Sequence, residues 1–312
     1  MKRFLLPLIL AASLLGGVAL TSTPAPNGDM ATFAPAPFAP AGLAYASPSA
    51  SIANPIGGVT LEEFGGVAND SSVDNTPALN AAITYIASHR NETASRLYLP
   101  AVGTYWLKSK PGLMQGVTII GAGMTKTGIR FDFDATGGAL EWAGDSAGGL
   151  EDIALTVNDG RHISNAVWVH SKSDGTLSSF QHFYRVWISY TGSGSYGETF
   201  LVQDLYNGWG GRDIECRELY VFGGTQDAVW LRSVKNFRWF GGGTFRGDYN
   251  GSMYIYGGGP SFAQQSINVL MMTSVDGNLS VNYSSDVLYM GVVANSYGAS
   301  NSSSVKFVLT KN

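Results

Sequence analysis

From residue 56 onward, hydrophobic and polar side chains alternate in short runs. Each run is closed by Gly, Asn, Asp or Ser: "RLYLP", "GTYWLKS", "VTIIGAG", "IRFDFD", "ALEWAG", "DIALTV". A period of two over four to eight residues is the pattern of a half-buried strand. One segment breaks it. In residues 76–89, Leu79, Ala82, Ile83 and Ile86 fall at i, i+3, i+4 and i+7, with Thr76 suited to the N-cap and Pro77 to the first helical position. The spacing predicts one amphipathic helix, and no second convincing one follows.

The strand pattern repeats. "NAVWVHS" (165–171) and "DAVWLRS" (227–233) match at Ala, Val, Trp and Ser, "ETFLVQD" (198–204) lies between them, and "GSMYIYG" (251–257) continues the series. A further strand precedes each member: "DIALTV", "FYRVWIS", "RELYVFG", "NFRWFGG". The unit is roughly 24–33 residues of strand and turn, about seven coils in all. No such unit buries its apolar face alone, whereas a stack of them buries a continuous core, so the expected architecture is an all-β parallel solenoid. Hairpin turns of the Asn-Gly type, which a sandwich needs, are rare. The open end of a first coil exposes strand edges and interior, and the helix at 76–89 supplies an apolar face to cap it.

The N-terminus reads differently. Lys2-Arg3 precedes an apolar run from Phe4 to Leu20, with small residues at Gly17-Val18-Ala19 and a second small-residue site at Ala44-Tyr45-Ala46. A charged start before a run of that length fits a signal peptide, residues 1–20, or an uncleaved anchor. Residues 21–55, rich in Pro, Ala and Ser, read as an extended linker, leaving 56–312 as the folded domain. Acidic residues (23) outnumber Lys and Arg (19) for a net charge of −4, which argues against a nucleic-acid partner. The lone cysteine, Cys216, excludes an intramolecular disulfide and any zinc or iron–sulfur centre built on several cysteines.

Residues 59–127 resemble the opening of the pectate-lyase-like right-handed β-helix superfamily. Phe64-Gly65-Gly66, then Asp74-Asn75-Thr76 and Ala78–Ile83, are similar to its F-G-A, D-D-T and A-I-Q-x-A-I; "LYLPAVGTYWLKS" and "GVTIIGAGMTKT" resemble its next strand and first full coil. Two departures stand out: Ala68-Asn69-Asp70-Ser71 replaces a G-D-G turn, and Asn75 replaces the second Asp of D-D-T. The resemblance implies a single-stranded right-handed parallel β-helix with a short N-terminal capping helix. That fold is used by secreted polysaccharide lyases and hydrolases, by epimerases and by virus tailspikes. The matched motifs are structural and carry no catalytic residue across.

Candidate chemistry comes from the side chains that alternation turns outward. In "IRFDFD", Asp132 and Asp134 face out on one side with Arg130 beside them, which suits Ca²⁺ binding, shared acid/base work or a plain charged surface. In the stretch from 210 to 233, Glu218, Asp227 and Arg232 are outward or at turns, a set suited to uronate chemistry. Neither the aspartate and Gly-His-Gly pattern of β-helix galacturonases nor the calcium and arginine set of pectate lyases is present. Trp168, Trp230, Tyr254 and Tyr256 occupy outward positions of the repeats, and Trp187 does the same on the neighbouring strand. Outward aromatics suit stacking on sugar rings, a subunit interface as in a homotrimer, or cover by a loop.

Two functions follow. One is an extracellular polysaccharide lyase or hydrolase, with a cell-surface or other polysaccharide as partner and Ca²⁺ as the one cofactor to consider. The other is a non-catalytic glycan-binding surface or virion tailspike module.

Overall fold

The computed structural model describes residues 57–90, 95–145, 147–190, 198–203, 211–223, 227–245, 252–257 and 266–310. The expected signal peptide (1–20) and linker (21–55) lie outside the described residues. No helix among the described residues is long and apolar enough to cross a membrane.

Two parallel sheets form the body. The long sheet runs along one path through ten strands: Gly58–Thr60, Arg96–Leu99, Thr118–Gly121, Gly149–Val157, His182–Tyr190, Glu215–Phe222, Val234–Phe245, Ser266–Val275, Ser284–Val293 and Ser303–Leu309. The short sheet stacks Ala135–Ala143, Ile163–His170, Phe200–Gln203, Val229–Arg232, Met253–Tyr256, Leu279–Asn282 and Tyr297–Ser300. Each strand pairs with its equivalent one coil away, so the chain winds as a right-handed parallel β-helix of seven coils at the short sheet. The repeated heptapeptides stack in register: Val167 beside Phe200, Phe200 beside Val229, Val229 beside Met253.

The core is the interior of the coil. Val167, Val169, Leu219, Val221, Val229, Leu231, Met253 and Ile255 point in and are fully buried, as their alternation requires, and Trp142, Phe183, Phe200 and Trp239 are among the largest fully buried side chains. Alternation slips by one residue inside the long sheet. Asp152, Arg185 and Glu218 adopt left-handed backbone (φ 53°, 53° and 50°) at equivalent positions of successive coils, which bends the sheet there and leaves two consecutive residues facing out, as at Arg217 and Glu218. Coils approach closely at Gly149 (φ +147°), where an added Cβ would lie 1.8 Å from the His182 carbonyl oxygen, so only glycine fits.

The capping helix α1 spans Thr76–Ser88 and buries Ala78, Leu79, Ala82, Ile83 and Ile86. Its start differs from the sequence expectation. The N-cap position is Asn75; the Thr76 N–H donates to Asp74 Oδ1 at 2.9 Å, and the Thr76 hydroxyl donates to the Ser109 carbonyl at 3.0 Å. Thr76 therefore ties the helix to the bend that follows the strand Gly103–Leu107 instead of capping it.

Candidate functional site

The outer face of the short sheet gathers most of the expected site residues into columns that run along the helix axis. In-register stacking places Glu141, Trp168, Leu201, Trp230 and Tyr254 in one column. Trp168 and Trp230 are half-buried and Tyr254 is 37% exposed; Leu201 interrupts the aromatic run. With strands about 4.8 Å apart, the two tryptophans stand roughly 10 Å from each other. Their indole N–H groups are buried and have no hydrogen-bond partner among the described residues. At the head of the column, Glu141 accepts from the Lys110 ammonium at 2.8 Å and from the Gly138 N–H at 2.7 Å. Two residues further along the strands lie His170 beside Gln203 and Arg232 beside Tyr256. Tyr256 thus belongs with Arg232, not with the tryptophans.

A third column lies at the edge where each coil enters the short sheet. Asn165, Glu198 and Asp227 each stand two residues before an in-register core residue, Val167, Phe200 and Val229. The Thr199 N–H donates to the Asp227 carbonyl at 3.3 Å, fastening the two coils together. Asn165 Nδ2 donates to the Glu198 carbonyl at 2.8 Å and to its carboxylate Oε2 at 3.2 Å. Glu198 is 7% exposed, and burial pushes its carboxyl above the ordinary range, partly offset by the Asn165 amide. Asp227 is pushed up to about 6, first by burial and then by the neighbouring Glu198 charge. Burial and the Glu198 charge together leave Asp227 half protonated near pH 6 and mostly ionised at pH 7. That is the electrostatic arrangement general acid/base chemistry uses.

The other expected residues are distributed elsewhere. Glu218 stands at the left-handed bend of the long sheet, on the other side of the coil from Asp227 and Arg232. Its neighbours there are the Asp152–Arg185 pair, joined by two hydrogen bonds of 2.6 and 2.7 Å. Asp227 and Arg232 share one stretch of chain but are five residues apart, roughly 16 Å of extended strand. Asp132 and Asp134 do face outward together. Their cation is Arg161, at 2.8 Å from Asp132 and 3.9 Å from Asp134, whereas Arg130 bonds Asn158 and lies over the Trp106 ring. Hydrogen bonds from Asn158 and Arg161 hold the Asp132 carboxyl below its usual range, and Asp134 accepts the His162 N–H at 2.7 Å beside a cleft of about 430 Å³. Among the described residues no three His, Cys, Asp or Glu side chains gather as a metal site.

Trp187 belongs to a different aromatic group, on the long sheet, where it stacks on Phe222 (4.3 Å) and Tyr220 (5.9 Å), and Phe222 stacks on Phe245 (5.0 Å). Cys216 is fully buried and burial pushes its thiol well up, which leaves it inert as a nucleophile. Glu198 and Asn165 are the site residues that sequence reasoning missed. The signal was present: aligned on their core residues, the heptapeptides begin Asn165, Glu198 and Asp227.

Residues 62–149 match the family described as "Rhamnogalacturonase A/epimerase, pectate lyase-like". The matched region covers the cap and the strands from Arg96–Leu99 through Ala135–Ala143, and ends before Asn165, Glu198 and Asp227. Residues 62–149 are thus pectate-lyase-like, as the opening motifs indicate. Among solved structures, the chain is similar to the Agl-KA catalytic domain (17% identity, TM-score 0.48, 82% of this chain and 46% of that one). It is also similar to the mannuronan C-5 epimerase AlgE6 A-module of Azotobacter vinelandii (17%, 0.38, 80% and 75%). A third is tailspike protein 2 of Escherichia coli O157:H7 bacteriophage CAB120 (13%, 0.36, 82% and 41%). The chain therefore spans less than half the length of the first of these. Comparison with curated protein sequences finds no match.

Proposed function

We propose that this protein binds an extended polysaccharide across the coils of the short sheet and hydrolyses it with Glu198 and Asp227. The observation that carries this is the partly buried carboxyl pair, one member raised to about 6, at the edge of a column of outward aromatic rings. Trp168, Trp230 and Tyr254 offer faces on which sugar rings stack, with His170, Arg232 and Tyr256 as polar contacts. The protonated form of Asp227, half of the molecules near pH 6 and a minority at pH 7, donates its proton to the departing glycosidic oxygen. Ionised Glu198 takes a proton from the water that attacks the sugar carbon. A proton passing from Glu198 back to Asp227 restores the pair. Export through the segment 1–20 is part of this proposal, since a polysaccharide of this kind lies outside the cell.

The test is incubation of the purified protein with acidic and neutral polysaccharides, with and without Ca²⁺, following new reducing ends and ultraviolet absorbance together. Reducing ends without absorbance are expected. Both signals would make the protein a lyase, and neither across a broad panel would leave it a binding module.

A specific observation favours a second reading, a non-catalytic spike or appendage that assembles as a homotrimer. In the last coils the outward positions of the long sheet turn apolar: Phe240, Met272, Met290 and Val308 follow where Glu151, Tyr184 and Arg217 stood in earlier coils. Met272 (46% exposed) and Val308 (41%) leave that face open to a second copy. Light scattering on the purified protein decides it, three copies supporting the spike reading and a monomer removing it.

A further inference from the structure

We infer that Phe180 is the platform of a second carbohydrate subsite, on the long sheet, which takes a single neutral sugar ring. The subsite lies away from the short sheet and is independent of hydrolysis by Glu198 and Asp227.

Phe180 breaks a repeated pattern. Residues 180, 213, 236, 268, 286 and 304 take the same place in successive coils, each one residue past an in-register strand position. All have left-handed backbone, with φ of 60°, 56°, 56°, 55°, 53° and 53°. Asp213, Asn236, Asn268, Asp286 and Ser304 are short and polar, and Asn and Asp are the side chains that tolerate this conformation best. Hydrogen bonds of 2.7 Å from Asn236 to Asp213 and from Asn268 to Asn236 join three of them into a ladder. Phe180 is the exception, a bulky residue for which left-handed backbone is strained. Packing does not explain it, because the ring is 57% exposed. Its neighbours hold the strain in place. The Phe180 N–H donates to the Arg212 carbonyl at 3.0 Å, and the Ser179 N–H and the Gln181 side-chain amide both donate to the Asp145 carbonyl, at 2.8 and 2.7 Å.

The ring borders a cleft of about 270 Å³ lined also by Asp213, Ile214, Glu215, Asn236 and Arg238. Arg238 is exposed and makes no ion pair among the described residues. Glu215 accepts from the Tyr184 hydroxyl and from Arg217, and Asp213 from Asn236, which leaves further lone pairs on both carboxylates. A sugar ring lays its C–H face on an aromatic ring and turns its hydroxyls toward polar groups at the rim. Here Arg238 donates to those hydroxyls and the two carboxylates accept from them. The volume suits one ring, since sites for drug-sized ligands begin near ~300 Å³. Two carboxylates beside one guanidinium repel a uronate, so the sugar is neutral.

Phe180→Asn gives this position a residue type that the later coils already carry, so the variant keeps the fold. Glucose, galactose and mannose, each with its uronate, are titrated by NMR into the purified protein and into Trp168→Ala/Trp230→Ala, which lacks the two tryptophans of the short sheet. At least one of the three hexoses should bind the double variant, and more tightly than its uronate does. Adding Phe180→Asn should weaken that binding about tenfold or more, and adding Arg238→Gln roughly tenfold. Phe180→Asn alone should raise the Tm by about 2–4 °C, because strain is relieved and no buried ring is lost. The subsite is overturned if no hexose binds the double variant, if binding is indifferent to Phe180→Asn, if the uronate binds more tightly, or if Phe180→Asn lowers the Tm. Reducing ends report hydrolysis separately. Cleavage without a hexose site at Phe180 leaves Glu198 and Asp227 standing, and hexose binding without cleavage leaves the Phe180 subsite standing.

Discussion

Asn75 holds Val67 by both ends of its amide. Its Oδ1 accepts the Val67 N–H at 2.7 Å, and its Nδ2 donates to the Val67 carbonyl at 3.0 Å and to the Trp106 carbonyl at 3.2 Å. One buried side chain thus joins the opening turn, the capping helix and the strand Gly103–Leu107. This gives a physical reason for Asn75 in a motif that resembles D-D-T: an aspartate could accept from Val67 but could donate to neither carbonyl.

Replacement by aspartate tests that reason. Asn75→Asp should destabilise the domain by about 2–4 kcal/mol at pH 7, the cost of losing two buried donations and confronting a carboxylate with carbonyl oxygens. The loss should shrink near pH 4, where protonation returns one donor. Urea unfolding at the two pH values measures it. An equal loss at both would mean that the amide donations do not matter.

Two aspartates give the stability a pH dependence of opposite signs. Asp227 has its folded value, about 6, above the ~3.9 of an unfolded chain. Its contribution is therefore complete below about pH 4 and lost as pH rises through 6. Asp132, held low chiefly by Asn158 and then Arg161, contributes above the ordinary range and loses that contribution as pH falls. Asp227→Asn should accordingly raise stability at pH 8 by roughly 2 kcal/mol, with little effect at pH 4. Thermal unfolding across that range checks it.

The aromatic column makes a separate demand. Trp168→Ala combined with Trp230→Ala should weaken polysaccharide binding at least tenfold while the far-ultraviolet spectrum stays that of a β-helix. The half-buried rings also support the sheet, so the melting temperature should fall. Unchanged affinity in a folded double variant would remove the column from the site. Trp187→Ala, on the long sheet, should leave binding as it was.

The solenoid was legible because its coils repeat a short core pattern, and Val167, Phe200, Val229 and Met253 stack as the repeated heptapeptides imply. The cap was legible for the same reason, through Leu79, Ala82, Ile83 and Ile86. The grouping of Glu218 with Asp227 was not recoverable from spacing. Glu218 lies in the long-sheet strand Glu215–Phe222 and Asp227 just before the short-sheet strand Val229–Arg232, so two residues of one coil stand on different sheets. Trp187 and Trp230 likewise look alike in sequence, although they stand on different sheets. The Glu198–Asp227 pair required reading the repeats across coils instead of along the chain, since its members are neighbours only through parallel stacking.

The most direct measurement compares reducing ends released by the unaltered protein, Glu198→Gln, Asp227→Asn and Glu218→Gln from the polysaccharide that binds best. Loss of on the order of 10²-fold or more in the first two, with Glu218→Gln unaffected, is the expected result for an acid/base pair on the short sheet. Full activity in Glu198→Gln and Asp227→Asn, or silence in Glu218→Gln alone, would contradict it.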